Sequence, residues 1–279
     1  MEPISLPKNH ISFSQINMYK RCPKQYYFRY MEDRIMAPKW TMVAGKAGHL
    51  SMEFNNLGKM KTGHNEKVSD VVDNFANNWD LEKDKHETIS YQKIKPGEVV
   101  SIMRKPIEQY FANGILEHDI PTGVEKEFAL SFEGIATKVV GFIDVVFPSG
   151  VWDYKFAQRK PSVQQLATSD QLKIYAVNEL IETGSLPKNL GFAYLVPTKT
   201  PLAMLYNIPD VPAFINNFMV DLKEGITSIS TSVASGVFPR NSASFMCSPE
   251  SCGYWSICKP GQAKIFYDLK KTYDTKKKG

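Results

Sequence analysis

The chain has 279 residues, 43% hydrophobic and 12% aromatic, with a net charge of +5; this excludes a disordered polypeptide and allows one large domain or two small ones. No window approaches the run of about eighteen apolar residues that a membrane span needs. Met1-Glu2-Pro3 also lacks the basic-then-apolar start of a secretory signal, so a soluble protein of the cytoplasm, or of a host cell's cytoplasm if the source is viral, is expected.

Charge is unevenly spread. Residues 18–39 and 262–279 each sum to +4, leaving the centre mildly acidic. Basic ends around an acidic centre suit a polyanion held at a metal-binding pocket. The lysines Lys276, Lys277 and Lys278 serve solubility equally well.

In chain order, Ser12 followed by Gln15 is a capping-box pattern, starting a helix that runs to about Lys20. Cys22-Pro23 interrupts it, and Pro23 opens a second helix as far as Met31. There Lys24 and Arg29 interleave with Tyr26, Tyr27, Phe28 and Tyr30. Strand-binding surfaces share that pattern with helices packed into a core. In the helix over 43–54, His49 and Glu53 share a face. Gly45 and Gly48 each cost that helix about 1 kcal/mol against alanine, so a close neighbour is expected there.

Helical periods continue over 66–79 and 98–117, and then the period changes to two. Residues 124–130 and 136–147 read as strands, and a hairpin adds a third. A long helix over 162–182 places Gln164, Gln171 and Tyr175 on one face. A strand pair over 190–196 and 202–207 and a helix over 212–235 lead to a cysteine segment and the basic tail. No repeat or low-complexity linker cuts the chain. A single domain, 1–279, is expected, with a mainly helical part over 1–120, an α/β core over 121–207 and a C-terminal part over 208–279.

The hairpin spans Gly141 to Lys155. Pro148 cannot take the positive φ that the favoured two-residue turns require at their first position. A four-residue loop from Phe147 to Gly150, with Gly150 left-handed, is the better expectation. It pairs Val146 with Val151 and sets Asp144 opposite Asp153, roughly 5 Å apart on one face. Lys155 points to that same face. Two facing carboxylates repel unless a proton or cation lies between them. A divalent metal site with a lysine beside it satisfies the arrangement, and so does a salt bridge.

Four motifs now stand in order: Gly45-x-x-x-His49 on a helix, Gly141-x-x-Asp144 on a strand, Asp153-x-Lys155 on a strand and Gln171-x-x-x-Tyr175 on a helix. Together they resemble the PD-(D/E)XK nucleases of the RecB-like group, over roughly residues 49–175. No proline precedes Asp144; RecB-like members commonly have glycine-apolar-apolar-aspartate there.

The resemblance implies a restriction-endonuclease-like α/β core, a central mixed sheet flanked by helices, with helical N-terminal additions. It implies His49, Asp144, Asp153 and the backbone carbonyl of Tyr154 as ligands of Mg²⁺ or Mn²⁺, hard donors for a hard cation. Lys155 would orient or polarise the attacking water and stabilise charge on the phosphoryl oxygens. Gln171 and Tyr175 would contact the nucleic-acid backbone or support the metal shell. An acid on the preceding strand often joins such sites. Strand parity points Glu125 and Glu127 the same way; Glu127 is taken as the catalytic candidate, with Glu125 the alternative.

The implied activity is a DNA exonuclease acting on single-stranded or frayed ends in recombination, repair or replication. A non-catalytic DNA-binding scaffold, a structure-specific endonuclease and an RNase are the alternatives. No Gly-x-x-x-x-Gly-Lys-Ser/Thr run is present, so unwinding would need a partner helicase or recombination protein. Lys24, Arg29, Gln171 and Tyr175 are the DNA-binding candidates.

Cys22 lies far upstream of Cys247, Cys252 and Cys258. Zinc sites usually gather ligands in close pairs, and ferredoxin spacings do not match. One cysteine before the core and three after it resembles the iron–sulfur subset of the family, the AddB-type helicase–nucleases and CRISPR-associated RecB-like exonucleases. In those, two residues usually separate the second and third cysteines; here four do. The resemblance implies a [4Fe–4S] cluster, with zinc or unbound thiols as alternatives. Such a staple would close a loop of over two hundred residues, an entropy contribution on the order of 5 kcal/mol. Tyr254 and Trp255 would shield it.

Overall fold

The structure is a computed structural model. It describes residues 6–276 except Gly134, Ala136 and Phe245, and, within the last helix, not the side chains of Tyr273, Thr275 and Lys276. Ala136, the expected start of a strand, and Lys277 and Lys278 of the basic tail lie outside the described residues.

The chain begins with β1 (His10–Ser12), α1 (Phe13–Arg21) and α2 (Pro23–Tyr26), which passes into a π-helical turn, Tyr27–Met31. Next come α3 (Trp40–Thr62), α4 (Val68–Lys83) and α5 (Val99–Ala112). The strands β2 (Gly123–Leu130), β3 (Lys138–Phe147) and β4 (Gly150–Phe156) precede α6 (Val163–Ala167) and α7 (Asp170–Thr183). The chain closes with β5 (Asn189–Val196), β6 (Leu202–Asn207), α8 (Val211–Phe214), α9 (Phe218–Ser235), α10 (Trp255–Cys258) and α11 (Ala263–Lys276).

Two compact units result: Met1–Met36, Ser131–Val139 and Asp221–Gly279 form the first, and Ala37–Leu130 with Val140–Val220 the second. In the second unit β4 is a central strand, antiparallel to β3 and parallel to β5, with β6 antiparallel to β5 and β2 paired to β3. This is a mixed sheet flanked by helices, a restriction-endonuclease-like core. Successive side chains of a strand face opposite ways. Trp152 and Tyr154 therefore enter a core with Ala47 and Met52 of α3, Phe75 of α4 and Ile107 of α5, whereas Asp153 and Lys155 turn toward α7. Each large apolar side chain buried in that core stabilises it by about 1.5–3 kcal/mol.

Several local expectations need correction. The hairpin loop is two residues, since Phe147 pairs with Gly150 while Val146 pairs with Val151 as expected. Neither Pro148 nor Ser149 takes a positive φ, so this is an unprimed turn that proline can enter. Gly150 is near-extended at φ 158°. Its need for glycine is spatial: a Cβ would fall 2.2 Å from the Asn189 carbonyl oxygen on the parallel neighbour.

The capping box at Ser12 does not form; Gln15 instead donates to the His10 carbonyl. The corresponding box at Ser162 and Gln165 does form. The single helix over 162–182 is two helices, because the Ser169 hydroxyl accepts the Leu172 N–H and starts α7 afresh. The helix expected over 212–235 breaks likewise, with Asn217 left-handed at φ 63° between α8 and α9. Residues 263–276, read as a tail, contain α11.

Candidate active site

The site begins where the β3–β4 ladder ends. Its last pair is Val145 with Trp152, and the next residues in line are Asp144 and Asp153. Asp144 Oδ2 accepts the Tyr154 backbone N–H at 2.7 Å, so a carboxylate takes the place of a ladder partner. The same oxygen lies 3.0 Å from His49 Nδ1 on α3.

His49 reaches this point because α3 lies close to β4. A Cβ on Gly48 would come within 2.6 Å of the Phe156 ring, which is the close neighbour the sequence called for. Gly45 has no such neighbour among the described residues. Burial pulls the His49 imidazole down, but the Asp144 charge and hydrogen bond outweigh it, and its pKa is raised above 6.5.

Glu125 of β2 completes the group. One ligand atom from each of His49, Glu125 and Asp144 lies within 4.8 Å of the others. Glu125 sits at φ 47°, a left-handed backbone that costs a non-glycine residue roughly 1–2 kcal/mol. This kink breaks the alternation that would have turned Glu125 and Glu127 alike. Glu127 is exposed and is not brought to the group, which corrects its choice as the supporting acid. Burial, then the charge of Asp144, pushes the Glu125 carboxyl up to about 7, with Glu53 and Asp153 adding to the rise and His49 opposing it.

Asp153 is 1% exposed. Its Oδ1 accepts Gln171 Nε2 at 2.6 Å, and its Oδ2 faces Lys155 Nζ at 2.5 Å but outside hydrogen-bonding geometry. Burial and the neighbouring Asp144 push this carboxyl up to about 6, against the pull of Lys155 and His49. Lys155 also donates to Gln171 Oε1 at 2.8 Å.

Gln171 therefore spans the aspartate and the lysine, and its second N–H goes to the Tyr175 hydroxyl at 2.8 Å. Tyr175 donates in turn to the Phe142 carbonyl at 2.7 Å. Of the two roles expected for this pair, the geometry matches support of the acids. Tyr175 is 3% exposed and its proton is taken by Phe142, so it is corrected as a DNA-contacting residue.

Behind the site, the Tyr154 hydroxyl accepts Asn56 Nδ2 at 3.0 Å and lies 3.3 Å from the Tyr110 hydroxyl. These partners were not foreseen. The available signal was Asn56 itself, a polar residue two helical turns after His49 on the same side of α3.

In the first unit, Cys22, Cys247, Cys252 and Cys258 line one pocket with Tyr254, Trp255 and Lys24. Three sulfurs accept an N–H: Cys22 from the Asn241 backbone at 3.5 Å, Cys252 from Gln25 Nε2 at 3.2 Å and Cys258 from Arg240 Nε at 3.3 Å. Burial raises the Cys252 thiol, and neighbouring Cys22 and Cys247 add to it. The aromatic helix is core here, with Tyr26 and Phe28 buried, so those rings are not a base-stacking platform. Lys24 lies 3.7 Å from the Tyr27 ring centroid, and Arg29 is half-buried.

Where the β3–β4 ladder ends, the mixed sheet thus carries His49, Glu125 and Asp144 as one group of potential ligands, with the Asp153–Lys155 pair beside it. Residues 10–259 match the PD-(D/E)XK nuclease superfamily, and the chain belongs to that superfamily. A crystal structure of a "Putative exonuclease" from Eubacterium rectale is similar in fold, with TM-score 0.56 and 12% identity over 86% of this chain and 87% of that one. No curated protein matches the chain. No helix of the described residues is long and apolar enough to cross a membrane.

Proposed function

We propose that this nuclease is a divalent-metal-dependent DNA exonuclease that hydrolyses phosphodiester bonds from single-stranded or frayed ends. The observation that carries the reading is the convergence of His49, Glu125 and Asp144 within 4.8 Å, beside the Asp153–Lys155 pair. One imidazole and hard carboxylate oxygens suit Mg²⁺ or Mn²⁺. The fit is also electrostatic: the raised His49, Glu125 and Asp153 groups hold protons where a bound cation would replace them.

His49, Glu125, Asp144, Asp153 and the Tyr154 carbonyl would hold the ion, which when bound supplies Lewis acidity toward a phosphoryl oxygen and acidifies a water. Lys155, fixed by Gln171 and Asp153, places its ammonium to stabilise charge developing on the phosphoryl oxygens. Phe142 favours an unpaired strand. It lies two residues before Asp144 on the same strand face and is 53% exposed, offering a surface on which a base can stack.

The cysteines are assigned to a [4Fe–4S] cluster. Four thiols around one pocket, three receiving N–H donors, fit such a group. A lone zinc, the alternative occupant, would hold the four sulfurs in one tetrahedron. Iron and zinc content of an anaerobic preparation, with its visible absorption, separates the two.

The activity is tested by digesting end-labelled linear and covalently closed DNA with Mg²⁺ or Mn²⁺, comparing the natural protein with Lys155→Ala. Loss of linear DNA by the natural protein alone is expected. Equal digestion by both, or none by either, would sink the assignment. Cleavage of closed circles would remove the exonuclease label, and preference for RNA would remove the DNA label.

A further inference from the structure

Glu125 reaches His49 and Asp144 through a backbone conformation that costs energy, so something must hold it there. The residue after it supplies a candidate. Lys126 Nζ lies 3.1 Å from Glu179 Oε1 and 2.5 Å from Glu182 Oε2, both on α7. Glu179 is 7% exposed, and a buried carboxylate without its cation would be strongly unfavourable. The clamp is therefore stiffer than a surface ion pair.

The same helix, one to three turns earlier, carries Gln171 and Tyr175. Counting from Gln171, Tyr175, Glu179 and Glu182 follow at +4, +8 and +11 along one side of α7. One end of that side holds Asp153 and Lys155; the other holds Lys126, and through it the kink at Glu125.

We infer that Lys126, anchored by Glu179 and Glu182, is a positioning residue that keeps the strained β2 backbone turned so that Glu125 can serve as a ligand to the site's divalent cation. The inference rests on the metal-site reading above. Helix α7 thus sets the position of the third ligand and of the lysine together, and loosening its far end lets Glu125 relax toward ordinary strand geometry.

The test is Mn²⁺ affinity by calorimetry on the full chain, without DNA, for the natural protein, Asp144→Asn, Lys126→Met, Lys126→Arg and Glu182→Gln. Lys126→Met keeps the alkyl stem and is expected to weaken Mn²⁺ binding by about 10-fold or more, as lost supporting contacts around metal ligands do. Lys126→Arg should restore most of the affinity. Glu182→Gln, which removes the more exposed of the two anchors, should weaken binding about 2- to 5-fold with an unchanged melting temperature.

Failure of the natural protein to bind Mn²⁺, or undiminished binding by Asp144→Asn, would overturn the metal site itself. Mn²⁺ binding that Asp144→Asn loses but Lys126→Met and Glu182→Gln keep would overturn the clamp alone. Should Lys126→Met fail to fold, Glu182→Gln decides: unchanged affinity overturns the proposal, and a loss supports it.

Discussion

At the carboxylate site, Asp144, Asp153, His49 and Lys155 each have a partner from their own chain: a backbone N–H, a glutamine, or one another. At the cysteine pocket, three sulfurs receive one N–H each, and the distant segments also meet through the Lys24 N–H on the Pro239 carbonyl, Asn241 on the Arg21 carbonyl and the Phe28–Tyr254 ring pair. The first arrangement is held by protein contacts and is expected to keep its shape without a cation. The second joins Cys22 to a segment more than two hundred residues away, and a group bound by all four thiols would tie the two further. In the function proposed above, the first group serves chemistry and the second stability.

The largest effect that should separate them is on stability. Cys22→Ser removes the distant ligand of the proposed cluster and should cost on the order of 5 kcal/mol, which for a chain of this size lowers the melting temperature by roughly 10 °C or more. Calorimetry of the iron-loaded protein checks this, and Mn²⁺ affinity should not change. A small shift would mean that the pocket is not a staple.

Asp144→Asn should do the opposite. Cleavage should fall by at least about 10²–10³-fold, while iron content and visible absorption stay those of the natural protein. Parallel cleavage assays and spectra would show whether the two sites are functionally separate.

A pH series comes next in size. Asp153 and Glu125 titrate near 6 and 7 in the folded, metal-free protein, above their ordinary values of 3.8 and 4.5, and His49 is raised as well. The folded state therefore binds more protons than the unfolded one across this window. Stability falls as pH rises from about 4 to above 7, by about 3 kcal/mol from Asp153 alone, with Glu125 adding less than its shift because solvent screens it. Below about pH 4.5 the sign reverses at Glu82, which gives up its pairing with Lys46 and Lys85 as it is protonated. Melting curves in chelator should show the decline, and Mn²⁺ should abolish it. A flat profile would mean that the carboxylates are not held against one another.

Phe142→Ala is the mildest test. Loss of one stacked base should weaken binding of a single-stranded oligonucleotide by about 10-fold and leave Mn²⁺ affinity intact. Fluorescence anisotropy with single- and double-stranded probes reads both arms, and an equal loss on the two would remove the case for an unpaired strand.

Much of the site was legible because its parts are local. Asp144, Asp153 and Lys155 belong to one hairpin, whose Val146–Val151 pairing is the same for a two-residue and a four-residue loop centred on Pro148-Ser149. Gln171 and Tyr175 are a single helical turn apart. Glu125 was not legible: strand parity turned it and Glu127 the same way and so could not choose between them, and the left-handed backbone at Glu125 breaks that parity. The helix break at Ser169 was hidden because a serine hydroxyl competes for a backbone N–H with no change in the apolar pattern.

The sequence by itself determined the family's motif order, the presence of four cysteines and the register of the central hairpin, because each depends on residue type and short spacing. The tertiary structure decided which glutamate joins His49 and Asp144, that Tyr175 supports Asp153 instead of facing solvent, that four thiols line one pocket, and that Lys126 is tied to α7. Those outcomes depend on contacts between segments far apart in the chain and on the energy a fold can set against a strained residue, and neither is encoded in local spacing.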